Sequence, residues 1–372
     1  MEKIKVLSLF SGIGAFEKAL TNLKLEFELV GFSEIDKYAI ESYAAIHNVD
    51  KSLNLGDVSK IETESIPDFD LMTYGFPCQD ISVAGRQKGF SENSETRSSL
   101  LWEAMKIAKV KQPKYMIAEN VKNLIGKKFK DDFDKWLNDL DDLGYNTYYE
   151  VLNSKDFGVP QNRERVFVVS IRKDIDNKEF KFPKGETTGV KLKDVLEDTI
   201  NEKYYLSEQV QKRFKFNEKY HHSLIGTTAP EFRTIGQRDL VYKEEGVMGA
   251  LVATDYKQPK QILEVVGNLD INGMDCIKRV YSTNGLSPTL TTMEGGNRQP
   301  KVYEGEYKIR KLTPLECWRL MSFSDEDFNI AKETLNNTYH KGKDRSDSQL
   351  YKQSGNSIVV KVAEELLRKL FN

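Results

Sequence analysis

Near its start the chain runs Ile4-Lys5-Val6-Leu7-Ser8-Leu9-Phe10-Ser11-Gly12-Ile13-Gly14, after which residues 15–23 place apolar side chains at helical spacing. An apolar run of strand length that breaks on glycines and restarts as a helix begins a βα unit. Outward from it the alternation recurs. Strands are expected at 4–10, 27–33, 70–76, 115–118 and 165–171, and helices at 15–23, 38–46, 100–110 and 129–143. This pattern predicts an α/β fold built on a doubly wound, mostly parallel sheet, which binds ligands just past the carboxyl ends of its strands.

Beyond Phe182-Pro183-Lys184-Gly185 the helical period fades, and glycine, threonine and asparagine become frequent among short β-type pieces such as Val241-Tyr242 and Val280-Tyr281. The expected organisation is a first domain over 1–184, completed by 345–372, and a smaller irregular β-rich region with its hinge over 185–344. Residues 357–371 regain helical period through Ile358, Val359, Val362, Leu366, Leu367 and Leu370, and should dock on the first domain. The length, 372 residues, exceeds an ordinary domain of about 100–200 residues and allows a sizeable core. Lys and Arg total 55 against 57 Asp and Glu, so polyanions are not bound through bulk charge and must meet a local basic surface. Hydrophobic content of 39% excludes a disordered chain, and three cysteines are too few for a disulfide framework, which points to a reducing compartment. With no run near the roughly 20 apolar residues of a membrane span and no signal-peptide core, a cytoplasmic protein without membrane partners is expected.

Four places carry chemistry. The turn Ser11-Gly12-Ile13-Gly14 lets backbone N–H groups approach a ligand, and Glu34, about 20 residues on, stands where an acidic residue binds ribose hydroxyls. Glu17 replaces the third glycine of the dinucleotide fingerprint. That departure counts against NAD and is harmless for a nucleoside without pyrophosphate. Asp57 is either a turn residue or an acceptor for an adenine amino group. Gly75-Phe76-Pro77-Cys78-Gln79 ends an expected strand, Pro77 stiffens the approach, and Arg86 and Lys88 follow in a glycine-hinged cationic loop able to favour a thiolate. Cys276 and Cys317 lack such surroundings and read as structural. Glu119 follows an apolar strand, where it either caps the next helix or, desolvated, serves as a general acid. Arg163 and Arg165 alternate along an extended chain, so they either point together into the cleft or belong to a solvated charge run.

A thiolate, a carboxyl group, an arginine and an adenosine-type pocket at one sheet edge suit alkylation of C5 of a pyrimidine, a carbon that becomes nucleophilic once a thiolate adds at C6. At this point the residues resemble the C5-cytosine DNA methyltransferases. The matching blocks are Leu9-Phe10-Ser11-Gly12-Ile13-Gly14, Gly75-Phe76-Pro77-Cys78-Gln79-Asp80-Ile81-Ser82, Glu119-Asn120-Val121, Gln161-Asn162-Arg163-Glu164-Arg165-Val166, Arg310-Lys311-Leu312-Thr313-Pro314 through Met321, and Gln353-Ser354-Gly355-Asn356-Ser357. They lie in family order over nearly the whole chain, except about 185–305.

The resemblance implies the S-adenosylmethionine-dependent methyltransferase fold, with S-adenosylmethionine as methyl donor held by Phe10, Gly12, Ile13, Glu34, Ile35, Asp57, Pro77 and Asn356, and no metal. It implies Cys78 as nucleophile, Glu119 as partner of cytosine N3, and Arg163 and Arg165 as cleft residues, Arg165 contacting a flipped-out cytosine. Gln79, Ser82, Arg86, Lys88 and Thr289 are implied to touch duplex DNA. Residues 185–305 become the target-recognition region, with Arg233, Arg238, Lys257, Lys260, Arg279, Arg298 and Lys301 available to phosphates or guanine edges. Ile35 and Asn162 depart from residues common at those positions. The implied protein is a monomeric, sequence-specific DNA cytosine-C5 methyltransferase of a restriction–modification system. An RNA methyltransferase acting on transfer RNA and a catalytically inert DNA-binding module are the alternatives.

Overall fold

The computed structural model describes residues 3–78, 80–81, 89–91, 96–186, 189–205 and 308–371, together with short pieces between 214 and 304. The first half is built from β1 (Ile4–Leu9), α1 (Ala15–Asn22), β2 (Phe27–Ser33), α2 (Lys37–His47), β3 (Leu71–Tyr74), α3 (Leu101–Lys111), β4 (Tyr115–Val121), α4 (Lys130–Asp142), β5 (Tyr145–Asn153) and β6 (Glu164–Arg172). These strands form one sheet in the order β2-β1-β3-β4-β6-β5. β1 pairs in parallel with β2 and with β3, β3 with β4, while β6 runs antiparallel to both β4 and β5.

The strand order reverses direction at β1, since β2 lies on one side of it and β3 on the other. Crevices open at such a reversal, outside the carboxyl ends of the two flanking strands. The glycine turn after β1 and the Pro77-Cys78 segment after β3 therefore arrive at one edge.

Alternation along the strands feeds two cores, one on each face. Val6, Ile117 and Val169 pack with Ala19 and Leu20 of α1, whereas Leu7, Met72, Met116 and Val168 pack with Trp102, Met105 and Trp136 of α3 and α4. On α4 only Phe133, Trp136 and Leu140 are buried, and Asp131, Asp141 and Asp142 are exposed, so acidic residues cover this outer helix.

β5 is absent from the sequence expectation. It is an edge strand with few fully buried residues, and its period-2 signal is correspondingly weak. The expected terminal helix is also displaced: α7 (Asp347–Asn356) ends before it, Ser357 is extended, and α8 (Val360–Phe371) starts three residues later than the apolar spacing suggested. Ile358 and Val359 are apolar because they pack, not because they are helical.

In the second half, β10 (Val265–Leu269), β11 (Arg279–Ser282), β12 (Lys301–Glu304) and β13 (Lys308–Lys311) join β7 (Phe214–Lys215) in a five-stranded sheet, and β8 (Leu224–Thr227) pairs with β9 (Leu240–Tyr242). This agrees with a β-rich region. Two further helices, α5 (Pro314–Arg319) and α6 (Asp325–His340), behave differently from the expected boundary at 344. Their buried residues Trp318, Phe328, Ala331 and Leu335 share one core with Val6, Leu20 and Val360, and Lys18 of α1 pairs with Asp327 at 2.7 Å. Residues 312–340 thus pack on the α/β half.

Local chemistry explains these ends. Thr313 caps α5 in a reciprocal box with Glu316, with Pro314 in its first turn, and Ser324 does the same for α6 with Asp327. No described helix is long and apolar enough to cross a membrane.

Candidate active site

At the end of β1 the chain turns through three residues of left-handed backbone, Phe10 (φ 54°), Gly12 (φ 57°) and Gly14 (φ 79°). Phe10 carries a side chain there, an unusual conformation that the neighbouring hydrogen bonds hold. Ser11 N–H donates to the Ser33 carbonyl, and Gly12 N–H donates to Glu34 Oε2 at 2.9 Å. Glu34 Oε1 accepts from the N–H groups of Ile35 and Asp36, both at 2.8 Å. Burial pushes the Glu34 carboxyl up, and these backbone donors oppose the shift. Three of its roughly four acceptor positions are thus used by the chain, which leaves room for one hydroxyl donor.

Gly14 sits over a buried cluster. A Cβ on it would lie 2.1 Å from His47 Nε2 and 2.8 Å from Tyr43 Cε2. His47 Nε2 lies 3.0 Å from the Ile13 carbonyl, and burial holds the imidazole below its ordinary range. Gly14→Ala therefore combines left-handed strain with a clash, and should lower stability by about 2–3 kcal/mol. Urea unfolding checks this; a variant within about 0.5 kcal/mol of wild type would show that His47 moves aside freely.

A pocket opens above the turn, lined by Ser8, Phe10, Ser11, Gly12, Thr73, Tyr74, Gly75, Glu119, Asn356 and Ile358 among others. Four segments distant in sequence thus line it. Of the expected cofactor residues it gathers Phe10, Gly12 and Asn356. Ile13 is buried behind the turn, and Ile35 stands 76% exposed at the rim side of β2. Asp57 caps a short turn, accepting from Ser59 N–H at 3.1 Å, which is the turn-residue alternative realised in this state.

Glu119 lies inside β4, opposite Phe167 of β6, not after the strand, so helix capping is ruled out. Its Oε1 is 3.0 Å from Arg165 Nε, with the two side chains 11% and 17% exposed. Burial raises the Glu119 carboxyl, and Arg165, then Arg163, pull it down. Burial likewise raises the Cys78 thiol, the Glu119 carboxylate raises it further, and Arg165 and Arg163 work the other way. The expected agents of thiolate formation, Arg86 and Lys88, lie outside the described residues, as do Gln79, Ser82, Thr289, Cys276, Arg233, Arg238, Lys257, Lys260 and Arg298, and the side chain of Lys301. Cys78 is half-buried.

Arg163 departs from the expectation that it shares the cleft with Arg165. It is 4% exposed and donates to the carbonyls of Leu290 (3.0 Å), Gly355 (3.3 Å) and Ser357 (2.7 Å). It lies just before β6 begins, so strand alternation does not govern its direction, and burial works against its charge. Arg163 ties the segment at 290 to the Gly355-Asn356-Ser357 wall of the pocket.

The sequence reading gave no role to Asn120, whose amide donates to the Phe76 carbonyl at 3.0 Å, or to Glu316, whose carboxylate meets Arg310. The Thr313-x-x-Glu316 capping box was a readable signal for the second; nothing marked the first. Among the described residues no His, Cys, Asp and Glu cluster is arranged to hold a metal.

Comparison with known proteins covers the whole chain. The sequence profile of the C-5 cytosine-specific DNA methylases matches residues 4–372. The orphan methyltransferase M.SPBetaI of Bacillus phage SPbeta is 37% identical, covering 100% of this chain and 98% of its own. The type II methyltransferase M.HhaI of Haemophilus parahaemolyticus is 30% identical over 97% of this chain and 92% of its own. Among solved structures, Schizosaccharomyces pombe Dnmt2 superposes with a TM-score of 0.63 at 18% identity, covering 99% and 98% of the two chains, a likeness of fold.

Proposed function

The chain belongs to the C-5 cytosine-specific DNA methylase family, and from that premise we infer that it methylates a flipped-out cytosine of duplex DNA through a covalent bond between Cys78 Sγ and C6. The observation that carries this reading is the charged constellation near the carboxyl ends of β3 and β4, Glu119 against Arg165 with Cys78 in the field of both.

The pocket suits S-adenosylmethionine. Ser11 Oγ is buried without a partner, Glu34 is held by the backbone N–H groups of Gly12, Ile35 and Asp36 with room for one further donor, and Ile35 offers exposed apolar surface for a ring. Phe10, Gly12, Ile13, Glu34, Ile35, Asp57, Pro77 and Asn356 would hold it, and when bound it supplies a methyl group on a sulfonium sulfur. The chain's own residues prepare the acceptor. The Glu119 carboxylate works against a Cys78 thiolate, so the thiolate forms more readily when Glu119 carries a proton against cytosine N3. Glu119 then gives its proton to N3 as Cys78 adds at C6, which places electron density on C5. Arg165 keeps Glu119 aimed at the base. Loss of the C5 proton later expels the cysteine.

Burial of Cys78 and Glu119 at the edge of the sheet fits a base taken out of the duplex, because a stacked C6 is beyond a thiol's reach. Gln79, Ser82, Arg86, Lys88 and Thr289 are assigned to the DNA, and the chain to modification of a short duplex site within a restriction–modification system. Relatives carry both type II and orphan names.

Bisulfite sequencing of DNA from cells expressing the chain tests the reading. It should reveal methylated cytosine at one short recurring sequence. Side by side in vitro, labelled methyl should enter duplex DNA at least about tenfold faster than transfer RNA; the reverse preference would overturn the substrate assignment.

A further inference from the structure

Among the described residues, the segment carrying Cys78 follows the end of β3 and lies outside the strand pairings. Ile81 N–H donates to the Cys78 carbonyl at 3.0 Å, closing the turn on itself. Gly89 N–H takes the Asp80 carbonyl at 3.0 Å, and three further carbonyls accept from side chains. Asn120 Nδ2 donates to Phe76 O, Ser98 Oγ donates to Pro77 O at 2.6 Å, and Asn123 Nδ2 donates to Ile81 O at 2.6 Å. Ser98 is wholly buried and also accepts the Asp80 N–H at 3.4 Å. Asn123 reaches across from the short turn Lys122–Ile125 that follows β4.

We propose that Ser98 and Asn123 are positioning residues for methyl transfer: they clamp the carbonyls on the two sides of Cys78 and so fix where its sulfur stands relative to Glu119. The physical need is specific. Backbone carbonyls outside a helix or sheet require other donors, and a nucleophile must be held within a few tenths of an ångström of its attack geometry. Asn120 and Asn123 belong to the strand and turn that carry Glu119, so the clamp links the nucleophile to the same rigid element as its acid partner. Ser98, just ahead of α3, holds the turn from the other side.

The proposal rests on Cys78 being the nucleophile, and its test separates the two. The full chain is assayed with labelled S-adenosylmethionine for kcat and KM on duplex DNA of mixed sequence. Covalent adduct formation is timed on the same duplex carrying 5-fluorocytosine. Asn123→Ala and Ser98→Ala should each lower kcat and the adduct rate by about 10- to 100-fold, with KM for S-adenosylmethionine within about twofold of wild type. Asn123→Asp, which keeps the shape but cannot donate, should fall as far as Asn123→Ala. Ser98 lies in a core, so the exposed-side Asn123 pair carries the test if Ser98→Ala does not fold. Adduct rates equal to wild type in both Asn123 variants reject the clamp alone, as does full activity of Asn123→Asp or a rise in KM that matches the fall in kcat. Absence of adduct in the wild-type chain rejects Cys78 as nucleophile, and the clamp with it.

Discussion

Cys78→Ala is expected to reduce methyl incorporation into duplex DNA to background, a fall on the order of 10⁴-fold or more, because removing a covalent nucleophile leaves only binding and electrostatic contributions. S-adenosylmethionine affinity should change little, since Cys78 is not among the residues lining the pocket above the glycine turn. The adduct with 5-fluorocytosine DNA should disappear in the same variant. Wild-type adduct formation should rise with pH: burial and Glu119 hold the thiol above its ordinary range, so the thiolate fraction of the free protein is small at neutrality and grows as pH climbs. Measurable methylation by Cys78→Ala at more than about a hundredth of the wild-type rate would remove the covalent route.

The second large effect is on stability. Arg310 is fully buried and bidentate to Glu316, with distances of 2.8 and 2.9 Å. The same carboxylate accepts the Thr313 N–H at 2.7 Å and the Glu197 N–H at 3.0 Å, while Thr313 Oγ1 donates to Glu197. Glu316→Ala removes the bidentate carboxylate of a guanidinium buried from solvent, and should cost about 3–5 kcal/mol. Replacing both partners by apolar residues, Arg310→Met with Glu316→Leu, removes the buried charge and should recover most of that loss. Urea denaturation of the three variants decides the matter, and a single Glu316→Ala variant that loses less than about 1 kcal/mol would show that Arg310 finds another partner. The network joins β13 to α5 and to the segment near 197.

Much of the α/β half was legible because its strands are short apolar runs and its helices present one apolar face, signals that depend only on neighbours in sequence. β5 escaped because an edge strand with one solvated face has little to distinguish it from a loop. The packing of residues 312–340 on α1 escaped for another reason. Thr313, Ser324 and their capping partners announce helices, but nothing in a helix's own pattern states which distant surface its apolar face will cover. At the site, Cys78, Glu119 and Arg165 stood out by residue type at a strand end, whereas Arg163 looked like a second cleft residue until its three carbonyl partners were in view.

Local order therefore settled the class of fold, the family blocks and the chemical types available at the sheet edge, since strand period, glycine turns and caps are properties of residues a few positions apart. Tertiary structure decided which of those groups share a field. Glu119 and Arg165 are paired only because β4 and β6 run antiparallel in register, and Cys78 is held beside them only because β3 adjoins β4. The elevated thiol, the buried carboxyl and the clamp of amides around the cysteine turn arise from burial and approach across long sequence separations, and no spacing along the chain encodes them.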